Sequence, residues 1–320
     1  MDLDESTPDM LCELQTRYGA FVVPDENDLI ADTLKTYGEW AENEISLLRT
    51  MIRPGDTVLD IGACYGTHTR AFSQAVGETG KVISFEACEQ TGEFLRKNIE
   101  IAPIANIEMH RVALDSISGR TISMAGAHAN RGATHIVTIG QDATQGGNAV
   151  TSTLDEFCLP RVDLLKIDVE GHEIQVLAGG GQTLKRCRPI VFCEMNSISA
   201  GFALYQCWSL ERYEVMGIRS FAANKNNFLK NPMDVFGDAS ECALLFVPEE
   251  RAADVPAMVA GNVITRITQT EDIVAMALGQ IQYISKFWTM NEEGHALSQL
   301  RKKNEELQHK LGSKKLRFFK

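Results

Sequence analysis

No run of roughly 18 apolar residues occurs anywhere in the 320-residue chain, so no segment reads as a membrane-spanning helix. The eight cysteines stand singly and form no C-x-x-C pair, which removes the sequence basis for a zinc ribbon or a dithiol redox site. They are expected to be small buried apolar residues, with no disulfide framework and no structural metal. Positive charge is scarce as well. The formal charge of −12 argues against nucleic acid as a partner, because phosphate binding needs a basic face. The opening residues Met1 to Glu5 are acidic where a signal peptide carries positive charge before an apolar run, so the expected location is cytoplasmic. The dinucleotide fingerprint G-x-G-x-x-G is also missing from the Gly62 turn described below.

What is present is an ordinary globular balance, 44% hydrophobic and 23% charged, enough for one large α/β domain with an appendage. Charge is uneven along it. Residues 301–320 hold eight basic and two acidic side chains, a basic tail on an acidic body. A solvated helix face accounts for such a tail more simply than a docking surface. Residues 27–51 have helical periodicity, ending at the punctuation Arg53, Pro54, Gly55. Short apolar runs at 57–61, 81–85, 107–113, 162–167 and 190–193 then alternate with helical patterns at 67–76, 89–101 and 172–185. Strands apolar on both faces, in repeated β-then-α order, mark a parallel sheet covered by helices on each side. A helix at 204–211 and strands at 213–221 and 243–247 follow, and Pro248 and Pro256 suggest a boundary near 250. Three parts are expected: an N-terminal helical cap over 1–50, the main domain over 51–250, and a helical extension over 251–320. In the last, Leu297, Leu300, Asn304, Leu307 and Leu311 keep heptad spacing, a short seam suited to helping a homodimer.

Three clusters carry chemistry. The strand 57–61 runs into Gly62-x-x-x-Gly66 and a helix opening at Thr67, which puts bare amides and a helix N-terminus at the carboxyl edge of the sheet. The next strand ends in Glu86, 20 residues after Gly66, where an acid can accept hydrogen bonds from both hydroxyls of a ribose. The plainer reading makes Glu86 a helix cap. This spacing, with G-x-x-x-G in place of the dinucleotide fingerprint, favours an adenosine with an amino-acid tail, S-adenosylmethionine, over a dinucleotide. The third cluster is Lys166-Ile-Asp-Val-Glu-Gly-His172. Lys166 and Asp168 share a strand face, and Asp168, Glu170 and His172 crowd the next turn. Glu194 ends the following strand, with Asn196 beyond it. A buried ion pair with Glu170 as a helix cap is the structural alternative to a catalytic role.

These segments together resemble the FkbM-type S-adenosylmethionine-dependent methyltransferases. The likeness runs from about Tyr37 to Asn196. It rests on Tyr37-Gly-Glu-Trp40 with Glu44, Val58-Leu-Asp-Ile-Gly-Ala63 with Gly66, Val82-Ile-Ser-Phe-Glu86, and above all Leu165-Lys-Ile-Asp-Val-Glu-Gly-His-Glu173; Val176-Leu-Ala-Gly179 and Arg188-Pro-Ile-Val191 with Glu194 complete it. The resemblance implies a class I methyltransferase fold, Rossmann-like, with a mostly parallel seven-stranded sheet whose last strand is antiparallel. By matching position, Asp60, Gly62, Ala63, Tyr65, Gly66 and Thr67 would hold the methionine end of the cofactor. Glu86 and Ala87 would hold its ribose, with Leu114 and Asp115 near the adenine and Asp168 beside the reacting centre. Cys64 stands where the family commonly has Asn.

The implied reaction is O-methylation of a hydroxyl on a sugar or secondary metabolite. Transfer needs alignment and removal of one proton, so Lys166, Asp168, His172 and Glu194 are the candidate bases. Asp168 is the first choice, with Glu194 or His172 orienting the acceptor. Tyr37 and Trp40 are expected as substrate-binding residues on a helix that lids the cofactor cleft, with simple packing of that helix on the sheet as the alternative. A divalent ion on Asp168, Glu194 and Asn196 is the less favoured variant. Two rivals stand beside this reading: an NAD(P)-dependent oxidoreductase on a similar fold, and a catalytically silent methyltransferase-like assembly module.

Overall fold

The computed structural model describes residues 11–25, 28–103, 105–127, 130–137 and 148–278. The heptad seam and basic tail of 279–320, and with them the expected homodimer helix, lie outside the described residues. The chain opens with a hairpin, β1 (Leu11–Thr16) and β2 (Gly19–Pro24), then α1 (Leu29–Tyr37) and α2 (Glu42–Thr50). Next come β3 (Thr57–Ile61), α3 (Thr67–Val76), β4 (Lys81–Phe85), α4 (Glu89–Glu100), β5 (Ile107–His110) and β6 (Ala113–Leu114). An excursion follows through β7 (Thr121–Ala127), β8 (Asn130–Val137) and β9 (Asn148–Ser152). The chain then returns with β10 (Leu164–Ile167), α5 (Glu173–Gly179), α6 (Gly181–Cys187), β11 (Ile190–Glu194) and α7 (Ile198–Cys207). It continues through β12 (Tyr213–Phe221), β13 (Ser240–Pro248), β14 (Asn262–Ile267) and α8 (Thr270–Ala277).

The main sheet has the order β14-β12-β13-β11-β10-β3-β4-β5. Five neighbouring strands, β5, β4, β3, β10 and β11, are parallel, and β13 inserts antiparallel between β11 and β12. These seven strands form the expected class I arrangement, and β14 adds an eighth, antiparallel to β12. Its pairing carries the domain past the expected boundary at 250: Pro248 and Pro256 punctuate a connection, not the end of the sheet. Alternation along the strands sorts the core onto two faces. Leu59, Ile61, Ile83 and Leu165 pack with Val176, Leu204 and Ile273, from α5, α7 and α8. Val58, Val82, Leu164 and Phe192 pack with Leu47 and Leu48 of α2 and Phe72 and Val76 of α3. No described helix is long and apolar enough to cross a membrane.

Two expected helices are broken. The 27–51 pattern divides where Gly38 takes φ 69° and closes α1. The 172–185 pattern divides at Gly180, just after Gly179 approaches the Asp115 carbonyl so closely that a Cβ would lie 2.0 Å from it. The N-terminal part is a hairpin plus two helices, not a purely helical cap. The hairpin is held by side chains distant in sequence: buried Arg70 donates to the carbonyls of Tyr18 and Ala20, and Asn98 exchanges hydrogen bonds with the Val22 backbone.

A second, four-stranded sheet has the order β6-β9-β7-β8. Asp28 links it to the helices, accepting from the amide of Ala31 at the start of α1 and from the amide of Arg131 on β8. Strand β3 is flanked by β4 and β10, and the direction of strand addition reverses there. In open α/β sheets ligands bind at such a switch point, beyond the carboxyl ends.

Candidate active site

Gly62 is the hinge of the site. Its φ of 80° and the Asp168 carbonyl, 1.7 Å from where a Cβ would be, exclude any larger residue. The turn is pinned by the Gly62 and Ala63 amides, which both donate to the Phe85 carbonyl at 3.0 and 3.1 Å. On one side of Gly62 lies a narrow cleft lined by Phe85, Glu86, Val112, Leu114, Met124 and His172. On the other lies a cavity of about 330 Å³, whose lining includes Glu44, His68, Lys166, Asp168, Glu170, Glu194 and Glu241. Gly62, Cys64, Asp168 and Gly132 of β8 line both.

In the cleft, Glu86 ends β4 with each carboxylate oxygen accepting one amide, Oε2 from Cys64 and Oε1 from Cys88, both at 2.8 Å. The Cys88 amide stands at the start of α4, so Glu86 ties the β4–α4 turn and also lines the cleft. Burial pushes its pKa up, against the pull of the Cys88 and Cys64 amides.

In the cavity, Lys166 is 2% exposed and its Nζ lies 3.2 Å from Asp168 Oδ2, 3.2 Å from the Gly62 carbonyl and 3.6 Å from Asp60 Oδ1. Burial disfavours its charge, but Asp168, Asp60, Glu44 and Glu194 outweigh that and raise its pKa. Lys166 is therefore a fixed cation and no base. Asp168 resists burial because Lys166 and a hydrogen bond with Glu194 hold its pKa down. Desolvation, then Asp168, Glu241 and Glu44, push the pKa of half-buried Glu194 well above the carboxylate range. The pair is thus one carboxylate and one carboxylic acid, arranged as in other paired acids.

Glu170 departs from expectation. Glu170 does not cap α5, whose N-cap His172 has no side-chain cap; Glu173 instead ties the preceding turn, its Oε1 accepting from the Gly171 and Val169 amides. Glu170, at φ 53°, turns into the cavity instead and accepts from Asn196 Nδ2. Burial, Asp168 and Glu173 push its pKa up to about 7. A raised carboxyl favours the fold while protonated, so its contribution is complete below its unfolded pKa and is lost as pH rises through about 7. Chemical denaturation at pH 5 and pH 8 is expected to show Glu170→Gln losing less stability than wild type over that interval. Discounted for partial exposure, the difference is about 1–2 kcal/mol.

Of the residues expected at the cofactor, Ala63, Tyr65 and Thr67 line the cavity, Glu86, Ala87 and Leu114 the cleft, and Gly62 and Asp168 both. Tyr65 packs its ring edge-to-face on Phe94, 5.4 Å between centroids. Asp60, Gly66 and Asp115 line neither space. Asp60 is fully buried below the floor, bonded to Thr69 Oγ1 at 2.5 Å, and Asp115 is held by Arg120 and by His172 at 3.1 Å. His172 consequently sits on the cleft side, away from the cavity where it was expected to orient an acceptor. Trp40 lines the cavity; Tyr37 does not, because its hydroxyl donates to the Met233 carbonyl and accepts from the Val235 amide. Asn224 bonds Glu39. Among the described residues no three His, Cys, Asp or Glu side chains are grouped to hold a metal ion.

The cavity also holds residues that the sequence reading did not assign to it. His68, one residue into α3, places Nε2 2.9 Å from Glu44 Oε1 of α2, and both are buried. Glu241 of β13 and Gly132 and Ala133 of β8 complete the wall.

The profile described as Methyltransferase FkbM domain matches residues 60–225. Two curated relatives resemble shorter parts. The hexuronic acid methyltransferase AglP of Haloferax volcanii is 32% identical over 143 residues, 43% of this chain and 55% of its own. An uncharacterized 37.1 kDa protein in transposon TN4556 of Streptomyces fradiae is 26% identical over 108 residues, 34% of this chain and 31% of its own. The chain therefore spans about half or less of the length of each. Among solved structures, a methyltransferase FkbM from Methylobacillus flagellatus KT aligns over 60% of this chain and 43% of its own, with 12% identity and a TM-score of 0.39.

Proposed function

Because the chain belongs to the FkbM-domain methyltransferase family, we propose that it moves a methyl group from S-adenosylmethionine to a hydroxyl of a sugar or related small molecule. The observation that carries this reading is the meeting at Gly62 of two unlike spaces, a cleft with one acid at its wall and a cavity rich in ionisable groups. The chain's donors and acceptors fit the cofactor. Beyond the Cys64 and Cys88 amides and the Thr91 hydroxyl, the Glu86 carboxylate keeps lone-pair capacity for a ribose hydroxyl. Phe85, Val112, Leu114 and Met124 supply apolar walls for a flat base. The N-terminus of α3, which has no side-chain cap, suits the carboxylate of a methionine tail.

S-Adenosylmethionine supplies a methyl already activated on a sulfonium. The chain's part is then to align a hydroxyl with it, exclude competing water and take one proton. An acceptor rich in hydroxyls matches a wall whose polar groups are mostly acceptors. The hexuronic acid named for the curated relative is a sugar, which supports the saccharide class. A nicotinamide oxidoreductase is disfavoured by the absent dinucleotide fingerprint and by family membership.

The test is incubation with methyl-labelled cofactor and fractionated saccharide extract. Label is expected in a product that resists mild alkali, as an ether does. Alkali-labile label would mean a carboxyl acceptor. Cofactor binding with no transfer to any fraction would favour the silent module.

A further inference from the structure

Resting on the methyl-transfer reading, we propose that His68 takes the proton of the acceptor hydroxyl and that Glu44 is its positioning residue. Among the other ionisable groups around the cavity, burial pushes the pKa of the Cys64 thiol and the Tyr65 phenol up, and the rest are engaged by neighbours. Lys166 of β10 is a fixed cation, and Asp168 beyond the same strand is bound to it at 3.2 Å. Glu194 at the end of β11 keeps its own proton, and Glu170 accepts from Asn196. Glu241 of β13 lies on the same wall and has a partner of its own.

His68 differs in geometry. One ring nitrogen, Nε2, is 2.9 Å from Glu44 Oε1, and the ring packs edge-on against Phe72, 5.7 Å between centroids. Both His68 and Glu44 line the cavity. A carboxylate on one nitrogen fixes the tautomer with its hydrogen on Nε2, so Nδ1 carries the lone pair. Among the described residues no group hydrogen-bonds Nδ1. The acceptor's O–H bond breaks with its proton passing to Nδ1. The freed oxygen pair forms the bond to the methyl carbon, and the C–S pair stays on sulfur, leaving a neutral thioether. The imidazolium formed is stabilised by Glu44 and gives its proton to water after release.

The experiment uses the full chain saturated with S-adenosylhomocysteine and labelled with ¹⁵N-histidine. His68 is expected as the Nε2–H tautomer, drifting to a mixture in Glu44→Gln. His68→Gln is expected to bind S-adenosylhomocysteine within threefold of wild type. It is also expected to methylate the labelled saccharide fraction 10²- to 10⁴-fold more slowly, with KM little changed. An Nδ1–H tautomer in the wild type overturns the proposal, as does His68→Gln turnover within threefold of wild type. A tenfold loss of S-adenosylhomocysteine affinity in His68→Gln overturns it too, by making His68 a grip on the methionine carboxylate. Wild-type protein that binds no S-adenosylhomocysteine instead sinks the underlying methyl-transfer reading.

Discussion

Lys166→Met is expected to destabilise the protein by about 3–5 kcal/mol, the range for removing one partner of a buried charge cluster. The methionine fills nearly the same space, so lost volume contributes little. The cost arises from what stays behind. Asp60 is 0% exposed, and its Oδ1 has no hydrogen-bond partner, only the Lys166 ammonium at 3.6 Å. Asp168 would lose the cation that holds its pKa down while Glu194 stays against it. Urea unfolding at pH 7 measures the effect, and the double variant Lys166→Met with Asp60→Asn should recover a substantial part, since a neutral amide needs no counter-ion. A loss below 1 kcal/mol in the single variant would show that the cluster is open to water.

The second large effect concerns binding. Glu86→Ala is expected to weaken S-adenosylhomocysteine binding by about 10²- to 10³-fold, from the lost hydrogen bonding to a charged acceptor. The alanine also frees the Cys64 and Cys88 amides that the carboxylate holds at 2.8 Å, so the Gly62 turn loosens together with the ribose grip. Glu86→Gln should fall between, because its amide group keeps one acceptor oxygen but turns a donor toward one of the two backbone amides. Equal losses for both variants would place the effect in the turn and not in the ribose contact.

Strands β3, β4 and β12 and helix α3 were legible to the residue because local signals agree there: apolar runs bounded by glycine, and helical spacing after Gly66. The hairpin β1–β2 was not, since Arg70 and Asn98, more than 45 residues away, hold its backbone. Strand β14 was hidden by its edge position, which leaves half of its side chains outside the core and weakens the apolar signal. The sheet β6-β9-β7-β8 lies in a stretch that carries no strong periodicity, yet it supplies Gly132 to both spaces.

The site divides in the same way. Glu86, Gly62 and the Lys166–Asp168 pair are readable from one strand end and its turn. Spacing places Asp60 at a strand end, but not below the floor, where Lys166 draws it. The pairs His68–Glu44 and His172–Asp115 join residues 24 and 57 apart, so only the folded chain shows which histidine faces which space.

The most direct test of the account is the structure of the full chain with S-adenosylhomocysteine bound. A ribose hydroxyl is expected on Glu86, the base between Phe85 and Leu114, and the sulfur at Gly62 facing the cavity of His68 and Asp168. A nucleoside seated elsewhere, with Glu86 still bonded to its two amides and to no sugar, would contradict it.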